Sequence, residues 1–207
     1  GHRDFYSLDL AVTPDVLIPR PETEGLVDRA LDHLRGLGRP GTAWDACTGS
    51  GAVAVAVAAN ARDARVLATD ISEAALAVAR TNASRHALTD RLTVARADLL
   101  ALPADAGIEG PFDVITANPP YVTAADMDTL GPDVRHEPVA ALCAGAEGLD
   151  FIAPLLRQAP DRLAAGGLLA MEIGYNQAEA VWDLANTDGR YERISFEKPL
   201  VALAGKP

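Results

Sequence analysis

The sequence predicts an α/β fold: a mostly parallel, doubly wound sheet of seven strands with a C-terminal antiparallel strand, preceded by a small β-hairpin. Three observations predict it. From residue 42 onward, short β-like runs alternate with stretches of helical periodicity. The first such strand enters the first such helix through a glycine-rich turn, DACTGSG at 45–51. The last two strand-like runs, 191–196 and 200–203, are joined by a turn at Lys198-Pro199. A parallel crossover needs a dozen residues or more, so this pair must be antiparallel.

The elements follow in order. Residues 5–10 and 16–18 are extended by composition, and Thr13-Pro14-Asp15 between them reads as the turn of the hairpin. Pro21 sits where a first helical position belongs, Glu22 and Glu24 complement the dipole of the first turn, and Leu26, Val27, Ala30, Leu31 and Leu34 share one face. Gly36 and Gly38 stop that helix. Strands are then expected at 42–46, 65–69 and 92–95, with helices at 52–60 and 72–86 between them. Next come a strand at 112–117, a helix at 149–163 that carries two prolines, and a strand at 168–173 after a Gly166-Gly167 break. Strict alternation means a parallel sheet covered on both faces. With 207 residues the chain holds one full core and is too short for two domains of ordinary size. We divide it into a hairpin and loop over 1–20 and one main domain over 21–207.

Composition narrows the function. Hydrophobic residues make up 49% of the chain, as in globular proteins, yet apolar runs such as 52–59 fall well short of the ~20 residues that a bilayer span requires. The first residues lack the basic region and apolar core of a secretory signal, so the expected location is the cytoplasm. Cys47 and Cys143 have neither CxxC spacing nor a histidine cluster nearby, so neither a disulfide framework nor a metal site is expected. The net charge of -11, with no basic run, argues against a nucleic-acid substrate, whose phosphates call for lysine and arginine patches.

The chemistry starts at Cys47, Thr48, Gly49, Ser50 and Gly51, between a strand and a helix, where glycine lets the backbone approach a ligand. Taken alone, the same residues read equally well as an ordinary strand-to-helix turn. Asp70 closes the second strand, where its carboxylate can accept hydrogen bonds from both ribose hydroxyls of an adenosine cofactor; its alternative is a turn aspartate ahead of a cap at Ser72. Asp98 ends the third strand in the same way and can accept an adenine amino group while Leu99 packs on the ring. A solvated surface aspartate explains Asp98 nearly as well.

Asn118-Pro119-Pro120-Tyr121 follows the apolar strand 112–117 directly, at the carboxyl edge of the sheet where open α/β folds bind ligands. The two prolines fix the loop and remove two backbone donors, so it presents acceptors: the Asn118 side-chain oxygen and the Pro119 carbonyl. Such a pair suits a planar NH2 group with two hydrogens to give. Holding both hydrogens aims the nitrogen at a sulfonium methyl and stabilises the positive charge that develops on it. Tyr121 is expected to wall the pocket against the flat acceptor.

With these motifs in hand, the chain resembles the class I methyltransferases with a Rossmann-like fold and, within them, the HemK-type protein glutamine methyltransferases that modify peptide chain release factors. LIPRPETE at 17–24 resembles that family's signature ahead of the cofactor loop and is far more specific than the glycine turn. The resemblance covers most of the chain and implies a catalytic domain without the N-terminal helical domain that family members usually carry. It implies S-adenosyl-L-methionine as cofactor and S-adenosyl-L-homocysteine as product. Cys47 to Gly51 would line the methionine part, Asp70 the ribose, and Asp98 with Leu99 the adenine. Asn118, Pro119, Pro120 and Tyr121 would hold the glutamine amide, with Asn118 also beside the cofactor.

On the resemblance alone, Arg20, Glu24 and Glu137 join as site candidates, the last within VRHEP at 134–138; this segment and Gly148-Leu149-Asp150 are expected to border the acceptor pocket. His136 reads as a solvated loop histidine rather than a base. The implied partner is a release factor bearing a Gly-Gly-Gln glutamine. The alternatives are a glutamine in a ribosomal protein, which shares nearly every motif, and the amino group of adenine in DNA or RNA, which shares NPPY.

Overall fold

The computed structural model describes residues 1–104, 106–131, 134–197 and 199–206, and of Arg135 the backbone only. A two-stranded hairpin, β1 (His2–Phe5) and β2 (Leu8–Ala11), precedes helix α1 (Glu24–Gly36). The sheet is built from β3 (Thr42–Ala46), β4 (Arg65–Asp70), β5 (Leu92–Arg96), β6 (Phe112–Ala117), β7 (Leu163–Glu172), β8 (Tyr191–Glu197) and β9 (Leu200–Gly205). Helices α2 (Ala52–Asn60), α3 (Glu73–Arg85), α4 (Ile152–Gln158) and α5 (Ala178–Asp188) cover it.

The strand order is β5-β4-β3-β6-β7-β9-β8; β9 pairs antiparallel with both of its neighbours, and the other neighbouring strands run parallel. The antiparallel arrangement expected at the C-terminus is therefore present, although Lys198 of the expected turn lies outside the described residues. Alternate residues of the central strands feed two cores. Ala43, Val66, Ala68, Val114 and Ala170 pack with α1 and α2 on one face. Trp44, Leu67, Ile115, Leu169 and Met171 pack with α4 and α5 on the other. This two-sided burial is why these strands read as apolar runs rather than as an apolar–polar alternation.

Four expectations need correction. The hairpin is real but lies earlier: it turns at Tyr6 and Ser7, both with positive φ, and residues 16–18 are not a strand. Tertiary bonds hold that turn in place of the usual glycine, because the Tyr6 N–H donates to Glu24 Oε1 (2.8 Å) and the Tyr6 hydroxyl donates to Asp28 Oδ1 (2.7 Å). The helix expected over 149–163 shrinks to α4 and a 3-10 turn at Ala159–Asp161. Pro154 falls in the first turn of α4, where no intrahelical donor is lost, while Pro160 ends the α-helical run.

The Gly166-Gly167 break is an irregularity inside β7 rather than its start, since Phe112 pairs with Leu163 and Val114 with Leu168. Finally, α5 had no counterpart in the sequence reading. Its signal was present: Val181 and Ala185 are buried one turn apart and Gly189 closes the helix in the left-handed conformation.

Candidate active site

The parallel register assembles the site. Ala46 pairs with Thr69 on one side and with Ala117 on the other, so the chain leaves β3, β4 and β6 at one level with Cys47, Asp70 and Asn118 side by side. This is the point where the strand order reverses, the place in open α/β sheets where ligands bind. A cavity of about 300 Å³ opens there.

The loop 47–51 is bent by positive φ at Cys47, Gly49 and Gly51. The Thr48 N–H donates to the Thr69 carbonyl (2.9 Å), and the Gly49 N–H donates to Asp70 Oδ2 (2.9 Å). Gly51 starts α2 and must be glycine: its φ is +80°, and a Cβ there would lie 3.1 Å from the Ala79 Cβ of α3. Asn82 of α3, fully buried, donates to the Ser50 carbonyl and also bonds both the N–H and the carbonyl of Ala11. The hairpin is thereby tied to the glycine loop.

Asp70 accepts from Gly49 with one oxygen and from the Ser72 N–H (3.0 Å) with the other, which leaves a lone pair on each for a pair of vicinal hydroxyls. Asp98 and Leu99 also line the cavity, Leu99 with positive φ. Asp45, at the head of the motif but absent from the sequence-derived site, lines it too. It is almost fully buried and accepts from the hydroxyls of Thr48 and Thr116 (2.7 Å to the latter). Burial pushes its carboxyl up to about 6, against the pull of those hydrogen bonds. Burial also raises the Cys47 thiol, with the neighbouring Asp70, Asp45 and Asp98 adding to it, which disfavours the thiolate.

At the other end of the cavity stand Asn118 and Pro120. Pro119 is buried and, with Tyr121, lies outside the cavity wall. Tyr121 turns its hydroxyl away to donate to Glu172 Oε1 (3.0 Å). Burial lifts the phenol well above its usual range, and the Glu172 charge adds to this, so it stays protonated. The loop is locked from behind by Gln177, which donates to the Tyr121 carbonyl (3.1 Å) and the Gly148 carbonyl (3.0 Å) and accepts from the Gly174 N–H (2.7 Å). A Cβ at Gly148 would sit 2.4 Å from the Tyr121 carbonyl oxygen, which accounts for the glycine in the segment 148–150.

Of the candidates drawn from LIPRPETE and VRHEP, Arg20 lines the cavity and Glu137 holds it, Nη2 lying 2.8 and 3.0 Å from the two carboxylate oxygens. Glu24 is elsewhere: it anchors the hairpin turn and does not reach the cavity wall. Thr23 lines the cavity and Glu172 bonds both Thr23 and Tyr121 behind it; neither was among the candidates drawn from the sequence. Glu172 carried a readable signal, an acid that ends an apolar strand as Asp70 does.

Comparison with known proteins places the chain in a family. Residues 43–135 match the family described as "Methyltransferase domain". A release factor glutamine methyltransferase of Moorella thermoacetica is 46% identical over 207 residues, which is 100% of this chain and 70% of that protein. One from Rhodopirellula baltica is 41% identical over 97% of this chain and 68% of its own length. The chain belongs to the release factor glutamine methyltransferase family. It is therefore an S-adenosylmethionine-dependent enzyme of the class I fold.

Among solved structures, the catalytic domain of human METTL16 in complex with the MAT2A 3'UTR hairpin 6 superposes with a TM-score of 0.73 at 17% identity, covering 97% of this chain and 76% of that one. A ribosomal protein L11 methylase of Lactobacillus delbrueckii gives 0.57 at 23% identity, covering 93% and 82%. At such identities the likeness establishes the fold alone.

The cavity fits the cofactor of this methyltransferase. Its volume, about 300 Å³, falls at the lower end of the ~300–1,000 Å³ of ligand sites. Its charged lining, among the described residues, is Asp15, Asp45, Asp70 and Asp98 against the single cation Arg20. An acidic lining of that kind receives a cationic sulfonium compound and repels a phosphate backbone.

Proposed function

We propose that this methyltransferase modifies the side-chain amide nitrogen of a glutamine in a peptide chain release factor, the glutamine of a Gly-Gly-Gln sequence. The observation that carries the reading is the position of Asn118, which lines the same cavity as Asp70 and Asp98 and follows β6 without a break. The relatives from Moorella thermoacetica and Rhodopirellula baltica bear that function in their names. The acidic lining and the net charge of -11 favour a protein acceptor over the amino group of adenine in a nucleic acid.

The residues divide the work. Asp70 would hold the ribose, Asp98 and Leu99 the adenine, and loop 47–51 with Asp45 the methionine end of the cofactor. Bound S-adenosylmethionine supplies a methyl group on a positively charged sulfur. Asn118 Oδ1, in the cavity wall, and the carbonyl of Pro119, which stands between the wall residues Asn118 and Pro120, would accept the two hydrogens of the glutamine NH2 and so turn its nitrogen toward the cofactor. As the nitrogen–carbon bond formed and the sulfur–carbon bond broke, leaving S-adenosylhomocysteine, the positive charge would pass from sulfur to nitrogen, where these two fixed acceptors would stabilise it until one N–H proton was released to water. No strong base is required beforehand. Tyr121 supports this loop from behind through Glu172.

The test is transfer of a labelled methyl group from S-adenosylmethionine to a purified release factor, with its Gly-Gly-Gln glutamine intact or changed to alanine, beside an RNA control. Label on the intact factor alone supports the reading; label on the RNA, or equal label on both forms of the factor, overturns it.

A further inference from the structure

Behind Asn118 lies a buried polar chain of which the roles above use only the Tyr121–Glu172 bond. Ala117 pairs with Met171 in the parallel register of β6 and β7, which sets Glu172 beside Asn118 at the carboxyl edge of the sheet. Glu172 is 3% exposed. Its Oε2 accepts from the Thr23 hydroxyl at 2.7 Å, and its Oε1 accepts from the Tyr121 hydroxyl at 3.0 Å. Asn118 Nδ2 in turn donates to the Thr23 oxygen at 3.3 Å. Three segments far apart in sequence, the turn before α1, the end of β6 and the end of β7, meet in this chain of bonds.

The direction of each bond is forced by the one before it. A carboxylate only accepts, so the Thr23 hydroxyl spends its single hydrogen on Glu172. What Thr23 then shows to Asn118 is a lone pair. Facing a lone pair, the Asn118 amide must present its NH2, and its carbonyl oxygen becomes the free end. Rotating the amide by half a turn would set two acceptors against each other and leave a half-buried NH2 in the place where an acceptor is needed.

We propose that Glu172 and Thr23 are positioning residues: through a Glu172–Thr23–Asn118 relay they fix the side-chain amide of Asn118 with its oxygen available to the glutamine NH2. This rests on the reading of Asn118 as the partner of the acceptor amide. It adds the residues that select between the two orientations of a side chain whose faces differ only in O and NH2. The relay depends on Glu172 being an acceptor, and a protonated carboxyl would carry a hydrogen of its own. Burial holds its proton affinity above that of an ordinary carboxylate and Glu22 adds to this, while the hydrogen bonds from the Thr23 and Tyr121 hydroxyls and the nearby Asn118 amide pull against it; Arg20 acts on the neighbouring Tyr121.

The experiment compares Thr23→Val, Thr23→Ser, Glu172→Gln and Asn118→Ala with the parent. Steady-state methylation of a release factor is followed at saturating cofactor, and calorimetry gives S-adenosylmethionine affinity. Valine keeps the shape of threonine but offers no lone pair, so turnover should fall on the order of tenfold or more, the scale of losing one directing hydrogen bond, with cofactor affinity within about threefold of the parent. Serine keeps the hydroxyl and should restore turnover relative to valine. Parent turnover should decline as pH falls through the titration of Glu172, and Glu172→Gln should lack that acidic limb.

Valine and serine variants that are equally impaired would mean packing rather than a relay, and would overturn the proposal. So would parent-like turnover in Thr23→Val while Asn118→Ala is impaired, which leaves the role of Asn118 standing. Parent-like turnover in Asn118→Ala would instead overturn that role, and the relay with it.

Discussion

Arg20 and Glu137, 117 positions apart, meet as an ion pair whose carboxylate is almost fully buried and also accepts the Ile18 N–H at 3.2 Å. The pair joins the segment before α1 to the loop after β6. Arg20 is in the cavity wall, as are Pro138 and Ala140 just beyond Glu137.

Breaking this pair from the arginine side leaves a buried carboxylate with one backbone donor among the described residues, which is costly even though Arg20 itself is partly exposed. Arg20→Ala and Glu137→Gln should each lower the thermal midpoint. The double variant should lose less than the sum, with a coupling of about 1–3 kcal/mol. Thermal unfolding of the four proteins measures it; additive losses would mean that the pair holds nothing.

Asp45 should make stability depend on pH. The folded protein holds its proton up to about 6, because burial outweighs the hydrogen bonds from Thr48, Thr116 and Ala54. The unfolded chain releases that proton near the ordinary carboxylate value of about 4. Between these values the native state binds more protons, so stability contributed by this group is lost as pH rises across the window, by about 3 kcal/mol at ~1.4 kcal/mol per unit. Asp45→Asn should flatten that part of the stability–pH curve in denaturant titrations without cofactor.

Asp70→Ala removes the partner of two backbone donors, those of Gly49 and Ser72, together with the proposed ribose contact. Affinity for S-adenosylmethionine should fall by roughly tenfold to a hundredfold, the scale of hydrogen bonds to a charged group. Calorimetry reads this directly. Unchanged affinity would remove Asp70 from the cofactor site.

Gln177 bonds three backbone groups from three segments, those of Tyr121, Gly148 and Gly174, and is 5% exposed. Gln177→Ala should cost about 3 kcal/mol of stability, since buried partners are left unmade. It should lower turnover more than cofactor affinity, because the loop it locks carries Asn118. Equal effects on both would place its influence elsewhere.

The strands and the loops at their carboxyl ends were legible because local rules govern them. Apolar runs such as 112–117 and 65–69 predict buried parallel strands, and an acid or a glycine turn after such a run predicts a ligand contact. The order of Asp70, Asp98 and Asn118 along the chain thus gave their proximity in space. What was not legible depends on long-range partners. The hairpin turn at Tyr6 and Ser7 lacks the usual turn residues because Glu24 and Asp28 secure it. Glu24 itself, a candidate by motif, serves that hairpin. Thr23 gains meaning only when the turn before α1 packs against Glu172 and Asn118, which the register of β6 and β7 sets side by side.

The most direct test of the central claim is tandem mass spectrometry of a release factor after incubation with this methyltransferase and S-adenosylmethionine, run in parallel with Asn118→Ala. The account predicts one methyl group on the side-chain amide of the Gly-Gly-Gln glutamine with the parent. It predicts almost none with the variant, while the variant's cofactor affinity stays within a few-fold of the parent's. A methyl group on any other atom, or equal modification by both proteins, would contradict it.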